Sequence, residues 1–343
     1  MERLCREGSG CVNGKIFLFL SHLSHNFITF APEKNNRTRF HHYMVHNKFK
    51  GLGIALITPF TKDGQVDFTA LRRLLDYQLS NGIDFICLLG TTAETPTLSA
   101  EERQQVKDLV VEKVNGQVPI LMGCGGNNTA AVVEQIQTGD FKGIEGILSV
   151  CPYYNKPSQE GLYQHFKAIA AAAATRNLSV VLYNVPGRVG VNMTAETTLR
   201  LANECENIVA IKEASGNFTQ IDDIIKNKPK NFDVISGDDG ITFPLITLGA
   251  VGVISVIGNA LPKEFSRMVR LALHGDYQNA LTIHHQFTEL FKLLFVDGNP
   301  AGVKAMLNAM GLIENELRLP LVPSRISTME KISAIVKELN IKC

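Results

Sequence analysis

The sequence predicts an α/β protein that folds as a (β/α)8 TIM barrel with a C-terminal helical appendage. From Gly53 onward, short apolar runs alternate with longer amphipathic stretches, a rhythm typical of repeated strand–helix units. Eight such units can be counted, and nearly all of their apolar runs are continuous, as expected of strands buried on both faces. Eight units that close on themselves form a barrel with its active site at the carboxyl ends of the strands.

The predicted strands are the eight apolar runs. In chain order they cover residues 53–58, 85–89, 119–123, 146–150, 179–183, 208–212, 232–236 and 252–257. The rival architecture is a doubly wound open sheet, which carries a glycine-rich dinucleotide turn after its first strand. No such turn follows residue 58, so the barrel is favoured.

Local signals mark the ends of several helices between these strands. Ser99 and Glu102 have the spacing of a capping box, in which each side chain accepts a hydrogen bond from the other residue's backbone amide. Ser158 and Thr194 precede helical patterns and are predicted N-caps. The Asn81-Gly82 pair tolerates left-handed geometry and predicts the end of the first helix.

The C-terminal part of the chain has more helical pattern than a barrel needs. Helices are predicted at about 263–274, 276–295, 300–311 and 324–340. We therefore expect the barrel to occupy residues 44–262 and a helical region to occupy residues 263–343.

Residues 1–43 differ in character from the rest and are rich in Gly, Cys and Asn. A short apolar run at 16–20 and nearby basic residues favour a signal peptide, but His22, His25 and Asn26 interrupt the pattern and no small-residue cleavage site follows. The segment is therefore interpreted as a disordered leader or as a misread start upstream of Met44.

Composition limits the classes of partner. The chain has 34 basic and 33 acidic residues and a formal net charge of +1, so no global field favours nucleic acid or an anionic membrane. A small, locally recognised ligand fits better. The seven cysteines are scattered without a C-x-x-C pair or zinc spacing, which predicts reduced thiols in a cytoplasmic protein.

Several polar side chains follow predicted strands and are expected at the mouth of the barrel. They are Thr91 and Thr92 after the second strand, Tyr153 and Tyr154 after the fourth, Tyr183 and Arg188 at and after the fifth, Lys212 at the end of the sixth, and residues 236–240 after the seventh. They include no pair of histidines and no carboxylate cluster that suggests a metal. The sequence predicts neither a metal nor an organic cofactor.

Lys212 ends an apolar strand in which Ala210 and Lys212 share one face, expected to line the barrel. An amine that attacks a carbonyl must be unprotonated, and poor hydration favours that neutral form. Lys212 is therefore a candidate Schiff-base nucleophile. The plainer alternative is a strand-end lysine that extends to solvent.

The neighbouring hydroxyls and Arg188 complete a coherent set of candidates. Tyr183, Thr92 and Tyr154 could relay protons between imine and enamine, and the turn at Thr91 and Thr92 could hold a carboxylate. Arg188 could bind a second carboxylate through its planar guanidinium. Each has an ordinary alternative: buried or interface tyrosines, hydroxyls that cap a turn, and a solvated arginine.

Five motifs together resemble a known superfamily. They are Gly90-Thr91-Thr92-Ala93-Glu94, Pro152-Tyr153-Tyr154-Asn155, Tyr183-Asn184-Val185-Pro186-Gly187-Arg188, Ile211-Lys212-Glu213-Ala214 and Ser236-Gly237-Asp238-Asp239. Their order and spacing over residues 44–343 resemble the dihydrodipicolinate synthase and N-acetylneuraminate lyase superfamily of class I aldolases.

The resemblance implies roles for individual residues. Lys212 would form the imine with pyruvate, and Thr92, Tyr183 and a Tyr154 from a neighbouring subunit would form the proton relay. Thr91 and the Thr92 amide would hold the pyruvate carboxylate, and the Gly237 carbonyl and Ile254 would border the site. It also implies a homotetramer built as a dimer of dimers.

Arg188 discriminates between branches of the superfamily. It resembles the arginine of the synthase branch, which implies L-aspartate 4-semialdehyde as the second substrate and a role in diaminopimelate and lysine biosynthesis. The alternatives are an N-acetylneuraminate lyase or sugar-acid aldolase that uses the same lysine, and a barrel that binds carboxylates without turnover.

A departure from the family pattern concerns feedback inhibition. Asn127 and Tyr153 match a lysine-binding site found in several members, but Ala131 stands where a glutamate would bind the ligand's amino group. Ala100 and Arg103 stand where histidines can occur. Because Arg103 repels an ammonium group that lacks a carboxylate partner, weak or absent inhibition by lysine is predicted.

Overall fold

The computed structural model of the chain describes residues 48–339. Its core is a closed barrel of eight parallel strands, in which each strand pairs with the next along the chain and the last pairs with the first. The strands are β1 (Gly51–Ala55), β2 (Phe85–Leu88), β3 (Ile120–Gly123), β4 (Gly146–Val150), β5 (Ser179–Asn184), β6 (Ile208–Glu213), β7 (Asp233–Ser236) and β8 (Gly252–Ser255). The predicted (β/α)8 barrel is confirmed, and the doubly wound alternative is wrong.

Continuous burial explains why these runs form strands. Every residue of β1, β5 and β6 is buried, because the barrel interior covers one face and the helices cover the other. The barrel closes where Gly51 of β1 pairs with Gly252 of β8. A Cβ atom on Gly252 would lie 2.1 Å from the Gly51 carbonyl oxygen, so this close approach of the two strands requires glycine.

Helices α1 to α8 follow strands β1 to β7 and surround the barrel. They are α1 (Phe68–Ser80), α2 (Ala100–Val114), α3 (Thr129–Thr138), α4 (Gln159–Ala174), α5 (Pro186–Val189), α6 (Ala195–Glu204), α7 (Phe218–Asn227) and α8 (Thr242–Leu248). The predicted capping box is present, since the Ser99 hydroxyl accepts from the Glu102 amide and the Glu102 carboxylate accepts from the Ser99 amide. Ser158 and Thr194 are also N-caps, as predicted.

Five helices follow β8. They are α9 (Pro262–Leu273), α10 (Tyr277–Gln286), α11 (Thr288–Val296), α12 (Ala301–Ala309) and α13 (Ile326–Glu338). Helix α9 packs against β1 and takes the place of the eighth barrel helix, although the sequence boundary at residue 262 assigned it to the C-terminal region. The predicted helix 276–295 is two helices that meet at Phe287, whose φ of −105° and ψ of 2° are not helical.

The predicted leader and the predicted division of the chain into two regions both remain predictions. The interpretation of residues 1–43 falls outside residues 48–339, and the division into regions 44–262 and 263–343 stays a prediction. Among the helices between residues 48 and 339, none combines the length and apolar character needed to cross a bilayer.

Candidate active site

Lys212 lies near the carboxyl end of β6, between Tyr183 on β5 and Ile235 on β7 in the strand register. The residue is 7% exposed. Its Nζ atom lies 4.4 Å from the centroid of the Tyr183 ring, within the range of a cation–π contact for the protonated form. The structure thus brings together two of the residues that the sequence assigned to catalysis.

Small and unreactive neighbours leave room for the Lys212 side chain. A Cβ atom on Gly237 would lie 3.0 Å from the Lys212 Cε atom and 2.8 Å from the Ala214 Cβ atom, so a larger residue at 237 would crowd the lysine. Burial raises the pKa of the Cys87 thiol to about 11, although the nearby Lys212 charge opposes this shift. Cys87 is therefore a neutral thiol at physiological pH and not a competing nucleophile.

The carboxylate of Glu213, the residue after Lys212, is engaged in several hydrogen bonds. Glu213 is buried and accepts hydrogen bonds from the Asn184 side chain at 2.7 Å, the Ser215 amide at 3.0 Å and the Ser215 hydroxyl at 2.6 Å. These contacts join β5, β6 and the loop that follows β6. Glu213 fixes the geometry of the strand that carries Lys212, and its oxygens are not free to act as a general base.

The turn after β2 presents Thr91 and Thr92. Residues Thr91–Ala93 form a single 3-10 turn, in which Thr91 is exposed and Thr92 is buried. The Thr58 hydroxyl donates to the Ala93 carbonyl at 2.8 Å, and the Asn299 side-chain amide donates to the Thr92 hydroxyl oxygen at 2.9 Å. The turn is thus held from the loop after β1 and from the C-terminal region.

The predicted proton relay is only partly assembled. Within residues 48–339, the hydrogen bond made by the Thr92 side chain goes to Asn299 and not to Tyr183. Tyr154 is 86% exposed and has a φ of 75°, in the left-handed region that is uncommon for tyrosine. It points to solvent in the single chain and contributes nothing to the barrel interior.

Arg188 lies on α5 (Pro186–Val189), which is followed by Gly190 as its C-cap with a φ of 76°. Arg188 is exposed and lines a cavity of about 880 Å³ that Thr91, Tyr183 and Asn299 also line. Lys212 does not contribute to this lining, but Tyr183, whose ring lies next to the Lys212 Nζ atom, does. Thr91 of the turn after β2, Tyr183 and Arg188 therefore line one cavity.

The loops after β7 and β8 are tied to each other at the carboxyl ends of the strands. Ile254 on β8 is 1% exposed. Asp239 accepts hydrogen bonds from the amides of Val256 at 3.0 Å and Ile257 at 2.8 Å, which ties the two loops together. Burial raises the pKa of Asp239 to about 6, and the two amides oppose the shift. Asp239 thus links the loop after β7 to the loop after β8.

The sequence reasoning missed two residues that contact the turn, Asn299 and Lys304. Asn299 bonds to Thr92, and Lys304 pairs with Glu94 at 2.5 Å. A signal for the second existed, since Lys304 is the one charged residue in the mostly apolar helix Ala301–Ala309, and a buried charge requires a partner. No sequence pattern indicated which partner.

Comparison with known proteins identifies the family. The sequence model of the Dihydrodipicolinate synthetase family matches residues 48–339. The chain belongs to this family. It is 71% identical over 300 residues to the 4-hydroxy-tetrahydrodipicolinate synthase of Phocaeicola vulgatus, covering 88% of this chain and 100% of that one. It is 67% identical to the synthase of Parabacteroides distasonis, with the same coverage.

Solved structures agree in fold. The crystal structure of dihydrodipicolinate synthase from Aquifex aeolicus superposes with a TM-score of 0.81 at 41% identity, covering 85% of this chain and 98% of that one. The Thermotoga maritima enzyme gives 0.82 at 42% identity, covering 86% and 99%. The superfamily resemblance is confirmed, and this family member is an enzyme of the pyruvate-dependent lyase type. The relatives favour the synthase interpretation over a sialic acid lyase or a non-catalytic barrel.

Proposed function

We propose that the chain catalyses the 4-hydroxy-tetrahydrodipicolinate synthase reaction, condensing pyruvate with L-aspartate 4-semialdehyde in the diaminopimelate route to lysine. One observation carries the proposal: a buried lysine and a tyrosine lie in contact on adjacent strands of a chain that is 71% identical to a protein bearing that name. The carboxylate turn and Arg188 share the cavity that the tyrosine lines.

The chemistry begins at the Lys212 Nζ atom. The neutral amine attacks C2 of pyruvate, and loss of water from the carbinolamine gives an imine. Removal of a C3 proton gives the enamine, whose C3 attacks the aldehyde carbon of the second substrate. The amino group of that substrate then attacks the imine carbon, and expulsion of Lys212 closes the ring. Tyr183, assisted by Thr92 and by Tyr154 from a second subunit, moves the protons.

Two anion sites orient the substrates. The Thr91 hydroxyl and the Thr92 amide hold the pyruvate carboxylate, because a 3-10 turn presents amides and hydroxyls in one direction. The Gly237 carbonyl and Ile254 border this site. Arg188 binds the carboxylate of the aldehyde substrate through its guanidinium. No metal or cofactor takes part in the proposed steps.

The proposal includes assembly as a homotetramer in the cytoplasm. Tyr154 is exposed in one chain and reaches an active site only if a second subunit packs against this loop. One structural neighbour, 42% identical, is described as a monomeric dihydrodipicolinate synthase variant, so members of the family can differ in assembly. Analytical ultracentrifugation of the purified chain measures its own state.

Arg188→Ala is expected to raise the KM for aspartate semialdehyde about 100-fold, because a charge-assisted carboxylate contact contributes roughly 2–3 kcal/mol. The pyruvate KM should change less than about twofold. Steady-state kinetics with both substrates measures this difference. Arg267→Ala, which removes an exposed arginine from α9, is the matched control. Equal activity of wild type with N-acetylmannosamine would instead favour the sialic acid lyase.

Weak inhibition by lysine is the second expectation. Ala100, Arg103 and Tyr153 line the same cavity as Arg188, and Ala131 is exposed on α3. An ammonium group placed there meets the Arg103 charge without a carboxylate at position 131. A related enzyme from Cyanidioschyzon merolae, 39% identical, is described with lysine bound. Lysine binding by that enzyme can therefore be compared with inhibition of this chain by lysine.

The measurement is an inhibition curve for lysine on wild type and Ala131→Glu. The introduced carboxylate is expected to lower the inhibitory concentration by about tenfold, which corresponds to ~1.4 kcal/mol. Wild-type inhibition at micromolar lysine would contradict the expectation.

A further inference from the structure

A buried ion pair connects the C-terminal region to the turn after β2. The Lys304 Nζ atom on α12 lies 2.5 Å from the Glu94 Oε1 atom, and both side chains are 0% exposed. Nζ also donates to the Glu316 carbonyl at 2.9 Å and lies 4.1 Å from the centroid of the Phe60 ring. Burial lowers the pKa of Lys304 to about 8, and Glu94 opposes this shift.

Glu94 occupies the end of the turn that carries the two threonines. It is the C-cap of the 3-10 turn Thr91–Ala93, its amide donates to the Thr91 carbonyl, and its φ of 54° lies in the left-handed region. Its second oxygen, Oε2, accepts from the Arg318 amide at 3.1 Å. Both carboxylate oxygens are therefore held by residues of the C-terminal region.

A second contact from the same region reaches the turn. Asn299, two residues before the start of α12, donates to the Thr92 hydroxyl at 2.9 Å. Helix α12 has little freedom to move, because a Cβ atom on Gly302 would lie 2.5 Å from the Leu294 Cα atom of α11. The turn is thus bonded at Glu94 to helix α12 and at Thr92 to the segment just before that helix.

We propose that the Glu94–Lys304 pair positions the pyruvate-carboxylate site. The pair holds the Thr91–Ala93 turn at the distance from Lys212 that the imine with pyruvate requires. Lys304 and Glu94 are positioning residues and touch no substrate. The inference rests on the proposed function, because it assumes that this turn binds pyruvate. A buried pair is a poor way to gain stability, since apolar residues of equal volume often serve as well or better, so a geometric role accounts for its presence.

The test uses the double variant Glu94→Gln/Lys304→Met, which removes both charges and leaves neither buried alone. We expect the pyruvate KM to rise about tenfold or more, while kcat and the KM for aspartate semialdehyde stay within about threefold of wild type. Borohydride trapping at saturating pyruvate should still place the adduct on Lys212. Glu94→Gln alone is the second variant, used if the double variant does not fold.

The matched control is Arg325→Met. It breaks an ion pair of the same C-terminal region, between the Arg325 Nε atom and the Asp297 Oδ1 atom at 2.6 Å, and Arg325 is 68% exposed. We expect wild-type kinetics from this control. It shows whether loss of any ion pair in the region changes pyruvate binding.

The possible results distinguish failure of the positioning role from failure of the proposed function. A folded variant with wild-type pyruvate KM, or with both KM values raised equally, overturns the positioning role and leaves the proposed function intact. Failure of both Glu94 variants to fold assigns the pair to stability and likewise overturns it. Absence of a Lys212 adduct in the wild-type enzyme removes the proposed function and this inference with it.

Discussion

Lys212→Met is expected to abolish pyruvate trapping and to lower kcat by about 10³-fold or more. Methionine retains most of the unbranched apolar stem of lysine, is one atom shorter, and provides no amine. In the wild type, the Lys212 Nζ atom lies 4.4 Å from the centroid of the Tyr183 ring. The fold should survive because the substitution replaces a polar end group by an apolar one at a residue that is 7% exposed in the barrel interior. Turnover, borohydride trapping and circular dichroism measure the three effects.

The matched control is Lys228→Met. Lys228 follows α7, and its Nζ atom donates to the Phe232 carbonyl at 2.6 Å. The variant loses a half-buried lysine that does not line the cavity. We therefore expect its kcat to stay within about twofold of the wild-type value. Full activity of a folded Lys212→Met enzyme would exclude the Schiff-base mechanism.

Tyr183→Phe is expected to lower kcat by about 10²- to 10³-fold, because it removes a hydroxyl that transfers protons in several steps. Phenylalanine retains the aromatic face against Lys212, so the nucleophile keeps its position. Single-turnover kinetics should show that the Lys212 adduct still forms, only slowly.

Tyr163→Phe tests whether any buried tyrosine has the same effect. Tyr163 on α4 is 2% exposed, and its hydroxyl contacts Glu204 and Lys167 outside the barrel. This control should lose some stability and keep its kcat. A Tyr183→Phe enzyme as active as the Tyr163→Phe enzyme would remove Tyr183 from the relay.

The barrel could be predicted because its signals are local. Each strand is a short apolar run whose burial on both faces dictates its composition, and β4 has the predicted bounds of 146–150. The first strand, predicted at 53–58, covers Gly51–Ala55, so its start lies two residues and its end three residues earlier. The late predicted end arises because the apolar run continues past Ala55, where the strand has already ended. The break at Phe287 carries no glycine or proline, so the sequence offers no signal for it.

The site could be predicted in part because carboxyl ends of parallel strands meet at one mouth. That rule put Lys212 and Tyr183 together, as found. The same rule gives no information on Asn299 and Lys304. Asn299 is 207 residues from its partner Thr92, and Lys304 is 210 residues from its partner Glu94. Such contacts depend on how the C-terminal helices return to the barrel, which local patterns do not encode.

The most direct test of the account is to incubate the purified chain with pyruvate, reduce with borohydride, and determine the mass of each lysine-containing peptide. We expect one pyruvate-derived adduct, on Lys212, and none on Lys228 or Lys304. An adduct on another lysine, or no adduct under conditions of active turnover, would contradict the central claim that Lys212 is the Schiff-base nucleophile.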